Sequence, residues 1–212
     1  MGGLNGNRTA LRRMVLSMII QTDKKVILAS ASPRRKTLIK YLFGDYEIVP
    51  SSVNEDDYKM LSPLEMPEFL AIQKAKDIAR SYPNAIVIGC DTSVVLGERV
   101  LGKPKDENQA RNMLSLLSNK THKVITGVCI ICGDKSMSFS VPTDVTFYEL
   151  DDEEIDEYVQ SGEPYDKAGG YGIQGLGSVF VKEISGDFYN VVGLPVSRLY
   201  RETIEFLNYI EG

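Results

Sequence analysis

The chain has 212 residues, of which 43% are hydrophobic and 25% are charged, and this length predicts one domain or one domain with a cleft between two lobes. The net charge of −5 argues against a general nucleic-acid or membrane surface, because either would need a basic face. No apolar run approaches the roughly 20 residues that a membrane span requires. Any anion-binding site must therefore be a small positively charged region on an otherwise negatively charged protein.

The three cysteines are too few for a disulfide framework and favour a reducing, cytoplasmic setting. Cys129 and Cys132 form a CxxC pair, but they fall in a predicted strand, where their side chains would point to opposite faces. A zinc site would need further ligands, and His122 is the only histidine. We therefore interpret the thiols as buried structural groups rather than as a redox or metal site.

Residues 1–24 differ from the rest of the chain. Several arginines precede a short apolar run over residues 14–20, which superficially resembles a secretion signal. No small-residue cleavage site follows it, so we expect an upstream extension or a disordered leader rather than export. A single domain is then expected over residues 25–212.

The first predicted elements are a short strand that begins at Val26, a turn over residues 29–31 and a helix with Ser32 as its N-cap. Arg34 and Arg35 then fall in the first helical turn, where a cation opposes the helix dipole by about 0.3–1 kcal/mol. A phosphate would relieve this conflict, because free N–H groups and two guanidinium groups would converge on it. The alternative is that both arginines point into solvent.

The spacing of apolar residues and the turn signals indicate the remaining elements. In chain order they are a continuation of the first helix to Gly44, a strand over 46–50, a helix over 67–82, a central strand over 85–96, a helix capped by Asp106, a hairpin of strands over 123–132 and 139–148, a helix from 150 to about 161, a strand over 178–184 and a terminal helix to 210. Alternating strands and helices with a hairpin indicate an α/β fold with a mixed sheet.

Asp91 is the most informative carboxylate, because it lies within a strand that should be buried on both faces. A buried carboxylate is costly unless it is paired or coordinated, and such a group suits proton transfer. The alternative is an aspartate that caps a loop at the end of the strand. Thr92 could offer a hydroxyl to a ligand.

Other candidates are weak when taken alone. Lys103 lies in a rigid Gly-Lys-Pro turn that could present an ammonium at the mouth of a cleft, whereas Lys74 is expected on a helix surface and Glu55 in a solvated acidic loop. Gln174, in the glycine-rich segment 168–177, could read the edge of a base, although the segment could equally be a flexible turn. The segment lacks a P-loop pattern and precedes a strand rather than a helix, which excludes the common nucleotide fingerprints. A serine hydrolase triad is disfavoured because its base would have to be His122, in a lysine-flanked turn.

Together these pieces resemble the Maf-like nucleotide pyrophosphatases, also described as septum formation inhibitors. The matching stretches follow one another in order from Val26 to the terminal helix, and eight ordered motifs are far more specific than any one of them. They are LASASPRR (28–35), VNE (53–55), QKAK (73–76), IVIGCDT (86–92), LGKP (101–104), THxVITG (121–127), EPYDKAGGYGIQG (163–175) and NVVGLP (190–195). The visible departures are the leader and Cys90, where a small residue is common.

The resemblance implies a Maf/inosine-triphosphatase-like fold, with an elongated mixed sheet and flanking helices that form two lobes around a central cleft. It also implies hydrolysis of a nucleoside triphosphate at the α–β bond with a divalent metal, Mg²⁺ or Mn²⁺. Asp91 would accept the proton of the attacking water, act as a metal ligand, or do both. The positions associated with substrate choice are Arg34, Thr92 and Gln174, and the phosphate and metal site would be completed by Ser30, Arg35, Glu55, Lys74 and Lys103.

The sequence around Gln174 is similar to the subfamily that acts on dTTP and UTP, so these nucleotides and modified pyrimidine nucleotides are the expected substrates. Neither a nucleic acid nor a membrane is an expected partner, and a homodimer is expected from the resemblance only. The alternative is a non-catalytic nucleotide-binding regulator of cell division. A carboxylate among phosphate-binding cations favours catalysis, because a protein that only binds phosphates would have little need of it.

Overall fold

The computed structural model describes residues 19–54 and 62–211. Within them lie seven strands, which are β1 (Val26–Ala29), β2 (Glu47–Ile48), β3 (Ile86–Leu96), β4 (Arg99–Leu101), β5 (Thr121–Cys132), β6 (Lys135–Phe147) and β7 (Val181–Ser185). The α-helices in the same residues are α1 (Pro33–Leu38), α2 (Met66–Ala79), α3 (Glu107–Leu117), α4 (Asp152–Gln160), α5 (Phe188–Val192) and α6 (Val196–Glu211). No helix in these two ranges is both long enough and apolar enough to span a bilayer.

The strands form one mixed sheet in the order β2-β1-β3-β5-β6-β7, with β4 also paired to β3. β1 runs parallel to both β2 and β3, and the other pairs are antiparallel. The parallel part requires crossover connections through helices, whereas the long β5–β6 hairpin needs only the turn at Gly133. This arrangement confirms the predicted α/β class with a mixed sheet.

Helices cover both faces of the sheet. On one face, α2 packs on alternate residues of β1 and β3, among them Ile27 and Val87. On the other face, α1 and α6 pack on the intervening residues, such as Leu28 and Ile88. A third cluster, centred on Phe147, joins α3 and α4 to the far half of the sheet. Ile20 belongs to the same cluster as α1 and α6, and its backbone N–H donates to the backbone oxygen of Leu42, so the described residues before β1 contact the domain.

Two glycines let α2 lie directly on the sheet. A Cβ atom at Gly89 would lie 2.2 Å from the carbonyl oxygen of Ala71, and one at Gly127 would lie 2.3 Å from the backbone of Pro67. Gly127 is also the cross-strand partner of Asp91. Only glycine permits so close a backbone approach, and this approach brings the side chains of α2 within reach of the middle of β3.

The predicted cysteine environment is confirmed. Cys129 packs on the α2 face, and Cys132 packs on the opposite face with Cys90. All three are free and buried. Burial raises the pKa of Cys90 to about 11 and that of Cys129 to about 12, so both stay protonated thiols at neutral pH.

Several predicted boundaries were wrong. The first helix ends at Leu38 and continues only as a 3₁₀ turn, and residues 176–180 form a 3₁₀ turn instead of the start of the last strand. The short helix α5 was not predicted. His122 is not in a turn but inside β5, where it is buried against Phe147. Residues 1–18, which make up most of the expected leader, lie outside the described part of the chain.

Candidate active site

A cavity of about 370 Å³ lies at the carboxyl end of β1, between the sheet and the segment 166–175. Ligands of α/β sheets commonly bind outside the carboxyl ends of parallel strands. Among the described residues, five cationic and two acidic side chains line it, namely Arg34, Arg35, Lys74, Lys103 and Lys167 with Asp91 and Asp166. A protein of net charge −5 therefore carries a locally positive cavity, as a polyphosphate site requires.

Arg35 occupies a gap in the sheet. Along one edge of β3, β1 pairs with residues 86–89 and β4 with residues 94–96, so no described strand covers the segment between them. Arg35 enters there, and its Nη1 donates to the backbone oxygen of Cys90 at 2.9 Å. The same side chain donates to Thr92 Oγ1 at 2.8 Å, Ser30 Oγ at 3.1 Å and the backbone oxygen of Gly193 at 2.8 Å.

These four acceptors are all neutral, so they fix the Arg35 guanidinium without cancelling its charge. Four of its five N–H groups donate to protein, which leaves at most one for a ligand. Ser32 caps α1 and accepts from the backbone N–H of Arg35, as predicted. The solvent-facing alternative is therefore wrong for Arg35, whose role in this geometry is that of a fixed positive charge.

Arg34 has a different environment. Its Nη1 donates to the Asp166 carboxylate at 2.7 Å and its Nη2 to the backbone oxygen of Asp166 at 3.3 Å. The Arg34 side chain is 29% exposed and that of Asp166 57%. Burial acts to raise the pKa of Asp166, but hydrogen bonds from Lys167 and Arg34 outweigh it and hold this pKa below its usual range. Arg34 thus joins α1 to residue 166, just before the glycine-rich segment, through an accessible ion pair.

Asp91 lies in the middle of β3 and is buried, and its Oδ1 accepts from Lys74 Nζ of α2 at 2.7 Å. The two side chains are only 8% and 12% exposed. A carboxylate this buried needs a partner, and the close packing of α2 on Gly127 puts the ammonium in place. The loop-capping alternative for Asp91 and the surface position expected for Lys74 are both wrong.

Thr92 points to the opposite side of β3 and belongs to a chain of hydrogen bonds. Thr126 Oγ1 donates to the backbone oxygen of Asn190 at 3.0 Å and also lies 2.9 Å from Thr92 Oγ1. Because the proton of Thr126 is committed to Asn190, Thr92 must donate to Thr126. Thr92 accepts from Arg35 as well, so the hydroxyl can offer a ligand only an acceptor lone pair.

The segment 166–175 closes the other side of the cavity. Lys167 donates to the Asp166 carboxylate at 2.6 Å and to the backbone oxygen of Glu163 at 2.7 Å. Gln174 lies at the cavity with an exposed side chain, where its amide can both donate and accept. Tyr171 also lines the cavity, and its hydroxyl lies 2.8 Å from His122 Nε2. Burial lowers the pKa of His122 to about 4, so the imidazole is neutral at pH 7.

The cavity brings together eight of the nine predicted site residues: Ser30, Arg34, Arg35, Lys74, Asp91, Thr92, Lys103 and Gln174. Glu55 lies outside the described residues. Asp166, Lys167 and Tyr171 were not predicted as site residues, although all three stand in the motif at 163–175. Asn190 was not predicted either; it is fully buried and bonds to both β5 and β6. A polar residue within the apolar stretch 190–195 was the available signal.

The fold and the cavity define an α/β protein with a mixed sheet and a cationic, anion-binding cleft that contains a buried carboxylate. The chain belongs to the Maf-like protein family, whose sequence profile matches residues 25–206.

The chain is also similar to individual relatives. A dTTP/UTP pyrophosphatase from Bacillus cereus is 54% identical over 183 residues, which cover 86% of this chain and 90% of the relative. A dTTP/UTP pyrophosphatase from Bacillus thuringiensis subsp. konkukian is 53% identical over 183 residues, covering 86% of this chain and 96% of the relative. Among solved structures, a HAM1 protein from Coxiella burnetii aligns with 86% of this chain and 99% of its own at 13% identity, with a TM-score of 0.49.

Proposed function

We propose that this protein is a nucleoside triphosphate pyrophosphatase that hydrolyses dTTP and UTP between the α- and β-phosphates. The names of relatives more than 50% identical to it support this substrate class. The observation that carries the proposal is the buried Asp91–Lys74 pair, which lies in a cavity otherwise lined mostly by cations. A base beside bound phosphates is what hydrolysis of a phosphoanhydride requires.

The cations bind the triphosphate and stabilise the charge that develops on its oxygens. Arg35 contributes a charge whose orientation is set by the sheet before the substrate arrives. Such a preorganised charge needs no rearrangement during the reaction, which is the most effective form of electrostatic stabilisation. Lys103 and Lys167 line the same cavity from two different segments and add to the positive potential there.

Asp91 takes a proton from a water molecule that attacks the α-phosphorus. The new bond joins the water oxygen to the α-phosphorus, and the bond from that phosphorus to the bridging oxygen breaks. Pyrophosphate leaves, and the monophosphate stays behind. Lys74 holds Oδ1 of Asp91 at 2.7 Å, which orients the carboxylate for this transfer.

A divalent cation, Mg²⁺ or Mn²⁺, is part of the proposal. Mg²⁺ is usually held by one or two carboxylates together with phosphate oxygens of the substrate, and Asp91 provides one such carboxylate in the cavity. Within residues 19–54 and 62–211, no group of three or more His, Cys, Asp or Glu side chains lies close enough together to hold a metal ion. When bound, the ion would neutralise phosphate charge. Glu55 stays a predicted second ligand.

Three side chains support pyrimidine selection. Gln174 can pair with the edge of a base through an amide that both donates and accepts. Thr92 presents an acceptor, and uracil and thymine each carry one ring N–H that could donate to it. Arg34 lies next to the segment that carries Gln174, because Asp166 holds it there.

Asp91→Asn tests the proposal, because asparagine keeps the size of the side chain but cannot accept the proton. We expect pyrophosphate release from dTTP and UTP with Mg²⁺ to fall by about 10²–10⁴-fold. Asp152→Asn, which makes the same change at an exposed position in α4, serves as the control and should keep full activity. Undiminished turnover by Asp91→Asn would remove Asp91 from the reaction. Nucleotide binding by the wild type without any turnover would support the non-catalytic regulator instead.

We also propose a cytoplasmic location, supported by the three buried free cysteines, and a homodimer, which rests on the family resemblance. Light scattering of the purified protein measures the mass directly, and a monomeric mass would refute the dimer.

A further inference from the structure

The Glu163 carboxylate accepts hydrogen bonds from Tyr158 and from the backbone of the glycine-rich segment. Its carboxylate accepts from the Tyr158 hydroxyl at 3.0 Å, from the backbone N–H of Leu176 at 2.8 Å and from that of Gly177 at 3.4 Å. The Tyr158 oxygen in turn accepts from the backbone N–H of Gly172 at 3.2 Å. Glu163 does not line the cavity, so its carboxylate acts on the loop and not on the ligand.

The glycines of this loop are explained by the same contacts. A Cβ atom at Gly175 would lie 2.4 Å from the Glu163 carboxylate oxygens, and one at Gly177 would lie 2.9 Å from the Tyr158 hydroxyl. A Cβ atom at Gly172 would lie 2.6 Å from Lys167 and 3.1 Å from Glu163. These glycines therefore make room for the side chains that hold the loop.

Gln174 lies between the two points at which the loop is held. Gly172 is tied to Tyr158 on one side, and Leu176 is tied to Glu163 on the other. Burial raises the pKa of Tyr158 and keeps its hydroxyl protonated, so it remains a donor to Glu163. A loop restrained at both ends loses less conformational entropy when a side chain at its centre binds a ligand.

We propose that Glu163 is a positioning residue for base selection, which holds the loop 172–177 so that Gln174 meets the edge of a uracil or thymine ring. The proposal rests on the proposed function, because it assumes that the cavity binds pyrimidine triphosphates. The carboxylate acts through Tyr158 and the loop backbone, and it leaves the Asp91–Lys74 pair untouched.

The experiment compares kcat and KM for UTP and CTP, which differ at one edge of the base, in wild type, Glu163→Gln, Tyr158→Phe and Gln174→Ala. We expect Glu163→Gln to lower the preference for UTP by about tenfold, the cost of roughly one hydrogen bond, mostly through a higher KM for UTP. Tyr158→Phe should shift the preference in the same direction. Combining Glu163→Gln with Gln174→Ala should add little to Gln174→Ala alone, because both act on one contact. Glu157→Gln, an equal charge change at an exposed position of α4, is the matched control.

A purely structural role would lower kcat for UTP and CTP alike and leave their ratio unchanged. That result, or an unchanged ratio in Gln174→Ala, would overturn the inference. If the wild type releases no pyrophosphate, the proposed function fails, and binding of the α,β-methylene analogues of UTP and CTP then decides the inference alone. Loss of binding preference in Glu163→Gln and Tyr158→Phe would support it, and an unchanged preference would refute it.

Discussion

The two sides of the cavity are built differently. On the sheet side, Arg35, Asp91 and Thr92 are bonded to buried or half-buried partners within the sheet and its adjoining helices. On the loop side, residues 166–175 are held by the exposed Arg34–Asp166 pair and by contacts outside the cavity. The sheet side therefore changes only if the core changes, whereas the Arg34–Asp166 contact on the loop side can adjust at small cost.

This difference matches the two tasks of the proposed enzyme. Proton transfer and phosphate stabilisation need groups fixed within fractions of an ångström, which rigid elements supply best. Selection among bases is commonly carried by loops positioned on such a scaffold. Two consecutive residues show this difference, because Arg35 belongs to the sheet side and Arg34 to the loop side.

The largest effect is expected when the sheet side is broken at Arg35. Arg35→Met removes four hydrogen bonds and leaves the buried oxygen of Cys90 without this donor, so we expect the free energy of unfolding to fall by about 2–4 kcal/mol. Pyrophosphate release should fall by about 100-fold or more, because the fixed charge is lost. Urea unfolding and a pyrophosphate assay measure the two effects.

Arg34→Met is the matched comparison, because its ion pair is exposed and should contribute no more than about 1 kcal/mol. If both variants unfold at the same urea concentration, the contrast between a rigidly held Arg35 and an adjustable Arg34 is wrong.

A second effect, on stability, is expected from acid, which acts on the support behind Tyr171. The pKa of His122 is lowered to about 4, below its usual 6.5, by burial. Between pH 4 and 6.5 the unfolded chain binds a proton at His122 that the native state does not bind. The free energy of unfolding therefore decreases as the pH falls from 6.5 towards 4, and His122 has no such effect above pH 6.5. The decline should approach about 3 kcal/mol. Urea unfolding from pH 7 to 4 measures it.

His122→Gln serves as the control, since glutamine can bond to Tyr171 but does not titrate. Carboxylates elsewhere also titrate in this range, so the informative quantity is the difference between the two proteins. Curves that stay parallel from pH 7 to 4 would show that His122 is protonated as readily in the native state as in the unfolded chain.

The sequence predicted the sheet side better than the loop side, for physical reasons. Asp91 stood out because a charged residue inside an apolar run conflicts with burial, and the N-cap at Ser32 is encoded locally. The partners of these residues were not visible, because Lys74 reaches Asp91 only through the close packing of α2, which depends on two distant glycines. Tertiary contacts of this kind produce no periodic pattern in the sequence.

The loop side was harder still. Gly172, Gly175 and Gly177 are explained by the side chains of Lys167, Glu163 and Tyr158, and nothing local distinguishes a glycine that admits a ligand from one that admits a side chain. Eight of the nine predicted site residues nevertheless line one cavity, because the order of the motifs carried information that composition and periodicity did not.

The smallest effect is expected at Asp166, where a substitution can remove the negative charge of the side chain and still keep its hydrogen bond to Arg34. Asp166→Asn removes the negative charge, but the asparagine oxygen can still accept from Arg34, and so can the backbone oxygen of residue 166. Stability should therefore change by less than about 1 kcal/mol. The KM for UTP should fall by roughly two- to fivefold at low salt, because Arg34 and Lys167 are then less neutralised, and the gain should shrink as salt screens the charges.

Asp152→Asn carries the same charge change on α4, away from the cavity, and should leave KM where it is. A higher KM for Asp166→Asn at every salt concentration would mean that the carboxylate orients Arg34 rather than merely offsetting its charge. Arg34 would then be preorganised like Arg35, and the contrast between the two arginines would be one of exposure alone.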